Sequence, residues 1–148
     1  MFQLKSATDS VGTPQYILDS LKSEFGEMYD PCPLNPQFDA KIHKDGLTTE
    51  WGDVSYCNPP FSKSRGFVKK AYTEWKKGKT CVVLVKNTIT NSNYFRDFVA
   101  GNAEIRFIHG TVRFNGYERG AWFPLLLLVF WKNKRSNNYK CVTYDASK

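Results

Sequence analysis

The sequence predicts an α/β protein with a trimmed, mostly parallel sheet and an antiparallel strand region towards its C-terminal end. Three observations lead there. Apolar residues recur at helical spacing after Thr13-Pro14 and again from Ser64 to Lys77. Short apolar, strand-like runs at Val54–Cys57 and Thr80–Val85 alternate with these helices, the order of a parallel sheet with helical crossovers. In the last third, strand-like runs follow one another: Glu104–Ile108, Val112–Phe114, Phe123–Trp131 and Tyr139–Tyr144. They read as an antiparallel edge or hairpin.

Taken in order, Met1 to Gly12 is polar and reads as an irregular arm of a single domain spanning 1–148. Thr13 serves as N-cap and Pro14 as first helical residue of the opening helix. Tyr16, Ile17, Leu18, Leu21 and Phe25 form its apolar face, and Gly26 stops it. Glu27–Asp30 is a short strand candidate ending on a carboxylate, and Pro31, Pro33 and Pro36 then impose a loop. Asp45-Gly46-Leu47 is a turn leading towards Trp51. The 23 residues from 31 to 53 suffice for one crossover but hardly for two complete units, which is why the sheet is expected to be trimmed. In the helix Ser64–Lys77, Phe67, Val68, Ala71, Tyr72 and Trp75 share one face. Thr80–Val85 is apolar enough to be buried on both sides. A further helix is expected at Ser92–Ala100, with Asn91 as its cap.

Lys and Arg number 21 against 14 Asp and Glu, a net charge of +7 that is compatible with a polyanionic partner. The four cysteines are scattered without a C-x-x-C pair, and with only His43 and His109 beside them no zinc spacing forms. No metal is expected. A reducing, cytoplasmic setting is the simplest inference. No signal-peptide core is visible, and the longest apolar run, Leu125–Trp131, is too short to span a bilayer. G-x-G-x-x-G and P-loop patterns are both missing, so nucleotide hydrolysis and ordinary dinucleotide chemistry lose support.

The residues that carry chemistry are Asn58-Pro59-Pro60-Phe61, at the end of the Val54–Cys57 run. Two successive prolines fix φ and remove two N–H donors, leaving carbonyls with few competitors. An amide oxygen from Asn58 and a carbonyl from Pro59 suit the two N–H bonds of an exocyclic amine. Accepting both draws the nitrogen out of conjugation and aims its lone pair at an incoming methyl group. Phe61 offers a face on which a flipped base can stack. A turn with an aromatic residue packed behind it is the ordinary alternative.

Ligands of open α/β sheets bind outside the carboxyl ends of the strands, where Asp30 and Asn58 would both lie. Asp30 could accept hydrogen bonds from a nucleoside cofactor's ribose or meet its ammonium group; a solvated turn residue before proline is an equal reading. Thr13 and Pro14 could touch the cofactor as well as start a helix, and Asp45 is a weaker candidate of the same kind. Lys63 and Arg65 flank the Asn-Pro-Pro-Phe turn and could meet phosphates. Arg106 and Arg113 could approach nucleic acid or simply lie on a solvated face.

The order of these segments resembles the phage-type DNA adenine N6-methyltransferase family. The resemblance runs through Thr13-Pro14, Asp30-Pro31-Cys32, Asp45-Gly46-Leu47 with Trp51, and Asn58-Pro59-Pro60-Phe61-Ser62. It continues through Phe67 to Ala71, Asn93-Tyr94-Phe95, Ala103 to Gly110, Phe114 and Phe123-Pro124. It implies a Rossmann-like methyltransferase fold, S-adenosylmethionine as methyl donor and adenine in DNA as acceptor. It also implies a catalytic turn at Asn58, Pro59, Pro60 and Phe61, and a cofactor pocket that includes Pro14, Asp30 and Pro31. A phage origin would place the protein inside a host cell. One departure is Pro31-Cys32-Pro33-Leu34, where many methyltransferases have a glycine-rich turn. Without room for a separate recognition domain, sequence specificity is expected from short loops or a second subunit. Monomer and homodimer stay open. The rival readings are a methyltransferase acting on an RNA base or a protein glutamine, and a catalytically silent module that binds nucleic acid.

Overall fold

The computed structural model describes residues 12–33, 45–110, 112 and 124–144. Helix α1 spans Gln15–Phe25 and α2 spans Ser64–Lys76. Five strands, β1 (Val54–Cys57), β2 (Thr80–Lys86), β3 (Glu104–Ile108), β4 (Leu125–Phe130) and β5 (Tyr139–Val142), form one mixed sheet in the order β1-β2-β4-β3-β5. β1 pairs parallel with β2, β2 and β3 each pair antiparallel with β4, and β3 pairs parallel with β5. Four strands therefore run one way and β4 alone runs against them.

Side chains alternate across each strand, and the two faces of the sheet are covered by different helices. Cys81, Val83 and Val85 of β2 and Leu126, Leu128 and Phe130 of β4 join Phe67, Val68, Ala71 and Trp75 of α2 in one core. Val82, Leu84, Leu125, Leu127 and Val129 join Ile17 and Leu21 of α1 in the other. Every residue of β4 is buried. The expectation of an antiparallel edge is thus corrected. A run of apolar residues covered on both faces belongs in the interior of a sheet, and β4 is inserted between β2 and β3.

Three smaller expectations also change. The strand candidate at Glu27–Asp30 is reduced to one parallel bridge, Tyr29 with Ser55. Tyr29 donates its N–H to Val54 and accepts from Tyr56. Beyond it the N–H of Cys32 turns back to the Asp30 carboxylate at 2.8 Å, and the flanking prolines have no N–H to offer, so the ladder stops. The opening helix has Pro14, not Thr13, in its cap position. The helix expected at Ser92–Ala100 contains a π-helical turn, Phe95–Val99, and the Ser92 hydroxyl, not Asn91, accepts the Phe95 N–H. The strand expected at Val112–Phe114 lies outside the described residues except for Val112, as does the arm up to residue 11.

The parallel pair β1–β2 is held by a buried carboxylate. Glu74 of α2 is fully buried. It accepts the Trp51 backbone N–H (2.9 Å) and the ammonium groups of Lys79 (2.6 Å), Lys77 (2.9 Å) and Lys70 (3.1 Å). Lys79 also donates to the Trp51 carbonyl at 2.6 Å. One carboxylate thus ties the entry to β1, the entry to β2 and the crossover helix together. Burial alone would raise its pKa, but the bonds from Lys79, Trp51, Lys77 and Lys70 outweigh that and hold it at about 2, against an ordinary 4.5.

Because the folded-state pKa is depressed, this stabilisation is complete above about pH 4.5 and is lost as pH falls through about 2. Glu74→Gln keeps the shape and removes the charge facing the lysines. It is expected to cost about 3 kcal/mol at neutral pH and to flatten the loss of stability between those two pH values. Denaturant melts at several pH values check both, and an unchanged acid limb would show that Glu74 is not the group responsible.

Candidate active site

β1 delivers Asn58 to the carboxyl rim of the sheet, next to the end of the Tyr29 segment. Tyr56 and Asn58 stand two residues apart and project to the α1 side. Tyr56 is buried there with Ile17 and Leu21. Thr13, just ahead of α1, is buried between them. Its hydroxyl lies 2.8 Å from the Tyr56 hydroxyl and accepts from Asn58 Nδ2 at 3.1 Å. This chain of contacts sets which way the Asn58 amide points. With its NH2 end on Thr13, its oxygen faces away from Thr13, and that oxygen is buried. Burial pushes the Tyr56 hydroxyl far above its usual pKa despite the Thr13 hydrogen bond, so it stays protonated.

The prolines shape the turn beyond Asn58. Pro60 takes φ −52° and ψ 135°, and its carbonyl accepts the Lys63 N–H at 2.8 Å, closing the 3-10 turn Phe61–Lys63 that leads into α2. Phe61 is half-buried and packs on the α1-side core, and the ammonium of Lys86 lies 4.5 Å from the centre of its ring.

Carboxylates gather on the neighbouring strand end. Asp30 closes its own turn onto the Cys32 N–H, and Asp45 does the same onto the Leu47 N–H at 2.9 Å. The two turns are in contact. A Cβ on Gly46 would lie 1.9 Å from the Pro31 carbonyl oxygen, so only glycine permits this approach. Trp51 donates its indole N–H to the Gly46 carbonyl at 2.7 Å, which fixes the second turn from below β1. Burial raises the Asp30 pKa, opposed by the Cys32 N–H bond. The Cys32 thiol is pushed up to about 11, first by burial and then by Asp30, against the pull of Lys63. Cys32 is therefore a thiol and no nucleophile at neutral pH. These mutual influences place Asp30, Cys32, Asp45 and Lys63 in one neighbourhood.

The structure thus brings Thr13, Pro14, Asp30, Pro31, Asp45, Asn58 to Phe61 and Lys63 around the carboxyl end of β1 and the turns beside it. Arg65 is exposed on the first turn of α2. Arg106 is a correction. It is only 3% exposed, donates to both oxygens of Glu24 at 2.7 and 2.6 Å and to Glu104 at 2.9 Å, and lies over the rings of Phe25 and Trp131. A guanidinium spent on that network cannot serve as a nucleic-acid contact; it fastens α1 to β3. Arg113 lies outside the described residues. Sequence reasoning misses Tyr56 and Lys86. The i, i+2 relation of Tyr56 to Asn58 is available in the sequence, whereas Lys86 reaches Phe61 only through the β1–β2 register. Among the described residues no cluster of His, Cys, Asp and Glu could hold a metal ion, and no helix is long and apolar enough to cross a membrane.

An α/β sheet with an Asn-Pro-Pro-Phe turn and a carboxylate on neighbouring strand ends fits a methyltransferase acting on an amine. Comparison with known families gives that class its name. The chain belongs to the DNA N-6-adenine-methyltransferase (Dam) family, whose model matches residues 3–145. No curated protein matches the chain. Among solved structures it is similar to the crystal structure of a predicted O-methyltransferase, protein Atu636 from Agrobacterium tumefaciens, at 15% identity and a TM-score of 0.36. That match covers 76% of this chain and 49% of the other, so the chain spans about half the length of that protein.

Arg106→Ala is expected to lower stability by about 3 kcal/mol, since Glu104 loses its buried partner, and to leave DNA affinity unchanged at a temperature where the variant is folded. Thermal melts and a DNA titration check this; weakened DNA binding by a folded variant would restore Arg106 as a contact.

Proposed function

We propose that the protein is a single, Rossmann-like methyltransferase domain that transfers a methyl group from S-adenosylmethionine to the N6 amine of a flipped adenine in DNA. The observation that carries this reading is the position of Asn58. It directly follows a four-residue strand, is held at its NH2 end by Thr13, and lies beside the bridged Tyr29 segment that leads to Asp30.

The donor set suits the cofactor. A carboxylate ending a strand segment is suited to ribose hydroxyls or to an ammonium group, and Asp45 beside it adds a second negative charge. Thr13 and Pro14 border the same rim, and Pro31 replaces the glycine-rich turn by packing its carbonyl on Gly46. Asp30, Asp45, Pro31, Pro14 and Thr13 are therefore the residues that would hold S-adenosylmethionine. When bound, that group supplies an electrophilic methyl.

The chain's own residues do the rest. The Asn58 amide oxygen and the Pro59 carbonyl accept the two N–H bonds of the adenine amine and localise its lone pair. Phe61 stacks on the base, and Pro60 keeps the turn rigid. Lys63 and Arg65 neutralise phosphates beside the flipped nucleotide. No strong base is needed, because the amine becomes acidic once methylated and releases its proton to water. Positioning and exclusion of water carry most of the rate.

Incubation of the protein with labelled S-adenosylmethionine and DNA, RNA or protein, followed by nucleoside mass spectrometry, tests the reading. N6-methyladenine in DNA is expected; label confined to RNA or protein would reject it. Asn58→Ala is expected to lower turnover by at least roughly a hundredfold with the fold intact by circular dichroism. Normal turnover would sink the mechanism. Asp30→Ala is expected to weaken S-adenosylmethionine binding more than DNA binding in calorimetry with each ligand, and the opposite order would remove Asp30 from the cofactor pocket.

A further inference from the structure

β2 outruns its neighbour. Its register with β1 ends at Cys57 opposite Val83, and β2 continues through Leu84 and Val85 to Lys86. Lys86 therefore stands beside the Asn58–Phe61 turn. Alternation with Val82 and Leu84 puts it on the α1 side of the sheet, where Tyr56 and Phe61 pack. Its backbone is firmly placed: Lys86 pairs with Leu125, and the next residue, Asn87, donates its N–H to the Pro124 carbonyl at 3.0 Å. The ammonium lies 4.5 Å from the Phe61 ring centre, well inside the range of an effective cation–π contact.

Phe61 has no polar atom with which to fix its ring, and it sits on the first residue of a 3-10 turn rather than in a regular helix. Setting the ring plane before the base arrives lowers the ordering cost of stacking. A cation prefers the face of the ring to its edge, so an ammonium on a strand-anchored stem selects one orientation of that plane.

We propose that Lys86 is a positioning residue for the methyl-transfer reaction, holding the Phe61 ring in the plane on which the target base stacks. This rests on the reading of Phe61 as the stacking residue. Lys86 acts through Phe61; the charge on its side chain, and not the length of its stem, is what matters.

The test is a kinetic comparison of Lys86→Met, Lys86→Arg, Phe61→Leu and the Lys86→Met/Phe61→Leu pair on DNA, at several salt concentrations. Lys86→Met keeps the apolar stem and is expected to raise KM for DNA about fivefold, with kcat changing less than KM. Lys86→Arg keeps a cation over the ring and is expected to restore KM. In the Phe61→Leu background, Lys86→Met is expected to add nothing, and the salt dependence of binding is expected to stay as in the parent. Additive losses together with a shallower salt dependence would make Lys86 a phosphate contact and overturn the proposal. An unchanged KM for Lys86→Met, with Phe61→Leu impaired, would overturn it while leaving Phe61 as the stacking residue. Normal kinetics for Phe61→Leu would overturn the stacking reading itself.

Discussion

The buried carboxylate of Glu74 is the constraint on which the candidate rim at Asn58 depends. A parallel strand pair cannot be closed by a tight hairpin; it needs a crossover, and the crossover helix must be fixed to both strands. Here a single side chain does so, accepting the Trp51 N–H ahead of β1 and the Lys79 ammonium ahead of β2. Three lysines around one carboxylate are net cationic. All three keep some contact with solvent, so the charge left over can be hydrated while the carboxylate stays dry. Such a cluster is costly to desolvate and costlier to break, and its value lies in geometry more than in raw stability.

That geometry is transmitted over a short distance. β1 has only four residues, so a shift at Trp51 becomes a shift at Asn58 with little chain to absorb it. Trp51 also reaches sideways, donating its indole N–H to Gly46 and so setting the Asp45 turn against Pro31. The amide that would hold the base and the carboxylates that would hold the cofactor are thus referred to the same residue. Proline, glycine and short side-chain turns shape the rim. Rigidity of this kind suits a reaction in which alignment supplies most of the acceleration.

Much of this is legible along the chain. The α2 face, the β1 and β3 runs and the Asn-Pro-Pro-Phe turn rest on local periodicity and on proline chemistry, which do not need the rest of the fold. The failures share a cause. Thr13 reads as a cap because Thr-Pro is a good helix start, but its hydroxyl meets Tyr56 and Asn58, more than forty residues away. Arg106 reads as a surface cation because its strand position is silent about Glu24, which is 82 residues away. The apolar run of β4 does announce burial on both faces, yet direction has no signature in such a run. An interior antiparallel strand and an edge hairpin are not separated by it.

The sequence by itself determined α1 and α2, the cores of all five strands, the chemical character of the turn at Asn58 and the family to which the chain belongs. These follow from spacing, backbone restriction and the order of motifs, all of which are properties of neighbouring residues. Only the tertiary structure decided the place of β4, the burial of Arg106, the orientation of the Asn58 amide and the meeting of Lys86 with Phe61. Each of those depends on strand register and on hydrogen bonds between distant residues. Their free energies are settled only when the chain has closed on itself and water has been excluded.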